Sequence, residues 1–167
     1  MDFIQHTINW SRGEITEALI NGIGGLVLVI CGILFLKLGN TPNAKALVWP
    51  LIAVGLLLGI AGAYGVYSNK IRINEFEQQW NQNPKTFVEA EKKRVEGFDE
   101  IFKYSYPGAI ILVIAGAILF FVFKGANGKA ISLGLMLVGM AAYFIDFFAS
   151  ERAQIYYKEI IKEISKY

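Results

Sequence analysis

The chain has 167 residues, 54% of them apolar and 18% charged, and sixteen Lys and Arg against fourteen Asp and Glu give a formal charge of +2. Its apolar residues gather into runs as long as a bilayer is thick, which excludes a water-soluble globular domain, while the balanced charge excludes a nucleic-acid binder and a disordered tail. One Cys and one His exclude a disulfide scaffold and almost every His or Cys metal or haem site, so neither a metal nor a cofactor is expected.

Residues 1–17 form an N-terminal arm in which Phe3, Ile4, Ile8 and Trp10 stand among Asp2, Gln5, His6 and Asn9, a pattern that reads as a short interfacial helix. Crossing a hydrocarbon core about 30 Å thick takes roughly twenty apolar residues. Four stretches approximate that length: residues 18–38, 47–67, 107–123 and 131–148. The first is expected to remain as an anchor, because Asp2, Arg12, Glu14 and Glu17 precede it instead of a basic n-region and its apolar run exceeds an h-region. Trp49 marks one boundary, and Tyr64, Tyr67, Tyr104 and Tyr106 mark the other.

The connections at 39–46 and 124–130 are short and rich in Gly and Asn, so the spans pair as two helical hairpins, residues 18–67 and 107–148. A shift of 84 positions aligns Gly24, Leu28, Val29, Ile30 and Gly32 with Gly108, Leu112, Val113, Ile114 and Gly116. The same shift aligns Asn43, Lys45 and Ala46 with Asn127, Lys129 and Ala130, and Leu51, Val54 and Gly55 with Leu135, Val138 and Gly139. Two hairpins duplicated in the same orientation account for this pattern, as do some transporter repeats. Twelve Lys and Arg lie on the face bearing both termini and four on the short-loop face, which predicts cytoplasmic termini.

Residues 68–106 read as a juxtamembrane helical segment. Ile73, Phe76 and Trp80 continue the second span as an amphipathic helix, and Asn83 followed by Pro84 is a helix start signal. The next helix sets Val88, Val95, Phe98 and Phe102 on a stripe opposite Glu89, Lys92, Lys93 and Glu96, and it is expected to end near Tyr106 and Pro107. Residues 149–167 form a C-terminal amphipathic helix continuous with the fourth span, with Tyr157, Ile160, Ile161 and Ile164 on its apolar side. The fold class is thus an all-α integral membrane protein of four transmembrane helices in two duplicated hairpins, with amphipathic juxtamembrane helices on the terminal face. The stripe formed by Phe76, Trp80, Val88, Val95, Phe98 and Phe102 either packs on its neighbours or serves as a docking surface for a partner helix.

No phosphate loop, nucleophile triad or paired His is present, so the chain is not expected to be an enzyme. His6 is expected to be solvated and Cys31 to act as a packing residue. Ionisable groups beside a span are more informative, because a charge in hydrocarbon costs about 2.5 to 3.5 kcal/mol. Asp146 lies about one turn from the end of the fourth span, where Glu14, Glu17, Lys70 and Arg152 complete an interfacial ionisable cluster. A conducting path normally shows polar residues at mid-membrane, whereas Ser132, near a span end, reads as the only polar residue within the spans, which argues against a conducting pore inside one chain. In the second span Gly55, Gly59 and Ala63 recur every fourth residue beside Gly62, and Gly24 with Gly32 form a sparser strip in the first, surfaces that let another helix approach closely.

These features predict a prokaryotic inner-membrane protein without catalytic chemistry that acts through helix contacts in the bilayer. It would be an accessory subunit of a membrane complex or an immunity protein against a pore-forming toxin, with the lipid bilayer, a membrane-protein partner or further copies of itself as its contacts. The competing expectation is a small oligomeric ion channel or transporter with Asp146 at the pathway mouth.

Overall fold

A computed structural model describes residues 2–167, which form four α-helices: α1 (Phe3–Leu38), α2 (Pro42–Gln82), α3 (Pro84–Val122) and α4 (Ala126–Ile164). Each is long and apolar enough to cross a membrane. At 1.5 Å per residue, helices of 36 to 41 residues extend about 54 to 62 Å, roughly twice the hydrocarbon thickness.

Helix ends fall at the caps the sequence supplies. Thr41 Oγ1 accepts a hydrogen bond from the Ala44 N–H at 3.2 Å, with Pro42 in the first helical position where its missing donor costs nothing. Asn83 ends α2 and starts α3, donating its backbone N–H to the Gln79 carbonyl and accepting from the Thr86 N–H on its side chain at 3.1 Å.

Two expectations about helix boundaries are corrected. The arm is not a separate interfacial helix: residues 3–17 are the opening turns of α1, and Phe3, Thr7, Ile8, Trp10 and Ser11 are buried against the other helices. Nothing between Phe3 and Leu38 breaks a helix, and the aromatic side of the arm finds apolar partners within the chain. Nor does α3 stop at Tyr106 and Pro107. It runs through Pro107, as α2 runs through Pro50, because the apolar helix beyond and its packing outweigh a local cost of about 3 kcal/mol.

Helix α1 lies along α2 and α3 along α4, while the principal contact between these pairs is α2 with α4. Accordingly a third of the most apolar window of α2 is buried, against 11% in α1 and α3, which makes α2 an inner helix. Glycines allow this closeness. A Cβ on Gly25 would stand 2.5 Å from the Gly55 carbonyl oxygen, and one on Gly62 would stand 2.5 Å from that of Ala18. Backbones in direct contact recover by dispersion what lipid cannot supply through the hydrophobic effect.

The contacts repeat at an interval of 84 residues. Gly55 packs on the Gly25 carbonyl and the Val29 side chain, and Gly139 packs on the Ala109 carbonyl and the Val113 side chain. Gly32 faces the Val48 carbonyl and Ile52, as Gly116 faces the Ser132 carbonyl and Met136. Helices α1 and α3 end, and α2 and α4 begin, at positions with the same separation. Residues related by this interval also meet one another: Pro50 lies against Gly134 and the Phe3 ring lies 6.2 Å from that of Phe87.

At the end bearing both termini the four helices share a core built around Phe3, Trp10, Phe76, Phe87, Val88, Val95, Ala153, Tyr156 and Ile160. Along the apolar lengths the outer surface is the opposite, with Ile60 at 69% and Phe121 at 84% exposure. That much contiguous apolar surface suits a lipid environment and not water.

Candidate interaction surfaces and buried polar clusters

A polar network runs through the core at the terminal end. Thr7 Oγ1 and Tyr156 Oη are 2.7 Å apart, and Tyr156 donates to Glu91 Oε2 at 2.8 Å. Glu91 is only 3% exposed and forms a two-point ion pair with Arg94, whose Nε lies 2.8 Å from Glu91 Oε1. The Arg94 guanidinium in turn covers the Trp10 ring at 4.3 Å and the Phe76 ring at 5.1 Å, so its positive charge meets both a carboxylate and aromatic faces. Burial, reinforced by the Glu91 charge, pushes the Tyr156 phenol far above its ordinary range. Trp10 Nε1, Ser11 Oγ and Arg94 Nη1 are buried in the same region without a hydrogen-bond partner among the described residues.

The sequence reading missed this network, although helical phase contained the signal. Glu91 stands three residues after Val88 and four before Val95, on the apolar stripe and not on the polar face.

A second cluster joins α1 to α4. Arg152 donates from Nε to Glu14 Oε1 at 3.1 Å, and from Nη2 to the same oxygen at 2.8 Å and to Glu17. One cation thus faces two carboxylates. Burial raises the Glu17 carboxyl above its ordinary value against the pull of Arg152, and the like charges of Glu14 and Asp146 push the same way. Asp146 Oδ2 is buried with no hydrogen-bond partner among the described residues. Of the five residues expected to cluster, Lys70 stays apart: it is exposed and, among the described residues, makes no ion pair.

Glu17 and Arg152 line a cavity of about 420 Å³ between α1 and α4, whose other walls include Ile20, Asn21, Phe144 and Phe148. Asn21 is a polar residue inside the first span that attention to Ser132 passed over. Ser132 itself is fully buried and donates to the Gly128 carbonyl at 2.8 Å, which satisfies it within its own helix.

The small-residue strip divides in two. Gly32, Gly55 and Gly62 are consumed in the contact between α1 and α2, as is Gly25, which periodicity had not singled out. Gly24 and Ala63 are exposed; Gly59 is half-buried, its backbone against Gly25 but its Cβ direction open, and a Cβ on Gly24 or Gly59 would meet no described atom within 4 Å.

The stripe of Phe76, Trp80, Val88, Val95, Phe98 and Phe102 does not offer a free docking face. Phe76, Val88 and Val95 are core residues, and Trp80, Phe98 and Phe102 pack against that core. It is covered by α1 and α4, two helices whose contribution at this end the stripe alone does not announce. His6 is half-buried, with Nε2 4.0 Å from Glu159, and Cys31 is a half-buried free thiol.

Compared with known protein families, with characterised proteins and with solved structures, the chain matches none.

Proposed function

We propose that the chain is a small polytopic inner-membrane protein of a prokaryote that works without catalysis, through helix contacts in the bilayer, as an accessory subunit of a membrane complex or an immunity protein against a pore-forming toxin. The observation that carries this reading is the outward half of the small-residue strip. Gly24 and Ala63 are exposed, and Gly59, whose backbone packs against Gly25, has open space in its Cβ direction, on a surface otherwise covered with large apolar side chains. Such a flat strip lets a foreign helix approach where branched side chains would hold it off.

In this reading the helix ends around Phe3, Trp10 and Tyr156 stand outside the bilayer as a juxtamembrane bundle, with both termini in the cytoplasm as the distribution of Lys and Arg favours. The two hairpins descend from one duplicated unit. Supporting this are the matching Asn-x-Lys-Ala turns and the glycine contacts that recur at an interval of 84 residues.

The test is crosslinking of tagged protein at native expression level, with mass-spectrometric identification of what it holds. Gly59→Leu should insert and fold as the parent does and lose the membrane-protein partner. Retention of that partner by Gly59→Leu, or recovery of the parent chain with no partner, rejects the reading. For orientation, a cysteine introduced by Asn127→Cys should react with an impermeant reagent only from outside the cell, and reaction only from the cytoplasm reverses the topology.

The ion-pathway reading has one observation in its favour, the unpartnered Asp146 Oδ2. Liposome flux abolished by Asp146→Asn would replace the interaction reading with it.

A further inference from the structure

The cavity between α1 and α4 has two chemically different ends. Ile20, Phe144 and Phe148 make one end apolar, while Glu17 and Arg152 make the other charged. Aromatic landmarks relate this division to a bilayer. Gly65, flanked by Tyr64 and Tyr67, packs on Ala18, and Tyr106 Oη lies 2.7 Å from Ser150 Oγ. The charged end therefore shares the level of a tyrosine belt, where headgroups lie, and the apolar end points towards hydrocarbon.

We propose that this cavity binds one phospholipid whose headgroup carries a primary ammonium, with its acyl chain along Phe144 and Phe148, its phosphate at Arg152 and its ammonium at Glu17. The volume of about 420 Å³ falls in the range of ligand sites, about 300 to 1,000 Å³. Charge complementarity selects the headgroup. Arg152 commits Nε and Nη2 to Glu14 and Glu17, so Nη1 is the remaining guanidinium donor to offer to a phosphate oxygen. The pair of carboxylates exceeds the single guanidinium by one negative charge, which an ammonium donor offsets and an anionic headgroup aggravates.

The repeat provides a comparison within the chain. At an interval of 84 residues, Ile101 corresponds to Glu17 and Ser68 to Arg152, so the charges belong to the α1 and α4 side alone. Packing of the hairpins does not require them, since the glycine contacts recur without them.

The experiment is native mass spectrometry of the full, delipidated chain with equimolar phosphatidylethanolamine, phosphatidylglycerol and phosphatidylcholine bearing the same acyl chains. One phosphatidylethanolamine should be retained per chain, about tenfold over phosphatidylglycerol, which corresponds to about 1.4 kcal/mol. Phosphatidylcholine, whose quaternary ammonium has no N–H, should bind more weakly than phosphatidylethanolamine. Ile20→Trp, at a position 66% exposed, should fill the cavity without disturbing the ion pairs and remove the adduct. Glu17→Gln should keep lipid binding and abolish the preference over phosphatidylglycerol. Equal retention of the three lipids by the parent chain, an adduct that survives Ile20→Trp, or a preference that survives Glu17→Gln overturns the proposal.

Discussion

The guanidinium carbon of Arg94 lies 4.3 Å from the centre of the Trp10 ring, and the two residues occupy positions related by the 84-residue interval. Phe3 with Phe87 and Pro50 with Gly134 stand in the same relation, the first pair in the aromatic core and the second between α2 and α4. These contacts between residues 84 positions apart run from the aromatic core to the packing of α2 on α4.

This arrangement fixes the register of α2 on α4. A Cβ on Gly134 would stand 3.2 Å from that of Pro50, close to the Cβ separation of about 3.8 Å in a disulfide. In a Cys31→Ser background, Pro50→Cys combined with Gly134→Cys should therefore form an intrachain bond under mild oxidation. A mobility shift on a non-reducing gel reports it, and persistence of two free thiols would show that α2 and α4 are not in this register.

Removing one partner from the buried network should cost more than its size suggests. Arg94→Met leaves the carboxylate of Glu91, 3% exposed, without its cation, for an expected loss of about 3 to 5 kcal/mol. Tyr156→Phe removes one hydroxyl that serves both Thr7 and Glu91, for an expected loss of about 1 to 3 kcal/mol. Unfolding in detergent by temperature or denaturant measures both, and equal effects would contradict the charge-based ranking.

Tyr156 also makes stability depend on alkaline pH. Its folded phenol titrates above the ordinary value, so the stability tied to the neutral form is complete below about pH 10 and declines as pH rises past that point. The melting temperature of the parent chain should fall more steeply than that of Tyr156→Phe above this pH. Parallel slopes would mean that the phenol is not buried.

Two of the ionisable positions in the α1–α4 cluster should respond differently. Arg152→Gln leaves Glu14 and Glu17 facing one another and should cost about 2 kcal/mol. Asp146→Asn replaces a carboxylate whose buried Oδ2 has no donor and should leave the melting temperature unchanged or raise it. A marked loss of stability in Asp146→Asn would reveal a favourable partner for that carboxylate.

Glycine substitutions should separate packing within the chain from packing outside it. Gly55→Leu drives a side chain into the Gly25 carbonyl and the Val29 backbone and should prevent the first hairpin from closing. Gly59→Leu projects into open space and should leave the melting temperature nearly unchanged. Similar damage from both would place Gly59 inside the fold.

Four apolar spans, their turns and the helix start at Asn83 were legible because each depends on local composition or a local cap. The N-terminal arm was not, since a segment with Phe3, Ile4, Ile8 and Trp10 set among polar residues looks interfacial until α3 and α4 supply the surface that covers it. Thr7, Glu91, Arg94 and Tyr156 come from three helices, and no spacing within one segment brings them together. Sequence grouped Glu14, Glu17, Asp146 and Arg152 by depth alone. Depth also drew in Lys70, whose direction around α2 carries it away from the cluster.

Asn83 is the single residue between α2 and α3, so two rods of 41 and 39 residues reverse direction with almost no slack. A hinge this short couples the hairpins mechanically: a tilt imposed on α2 at its far end must be shared by α3 or must break one of the two caps that Asn83 provides. The molecule is thereby a pair of tongs closed at its crease, in which a force applied at the short-loop face is felt by the helix ends around Trp10 and Tyr156.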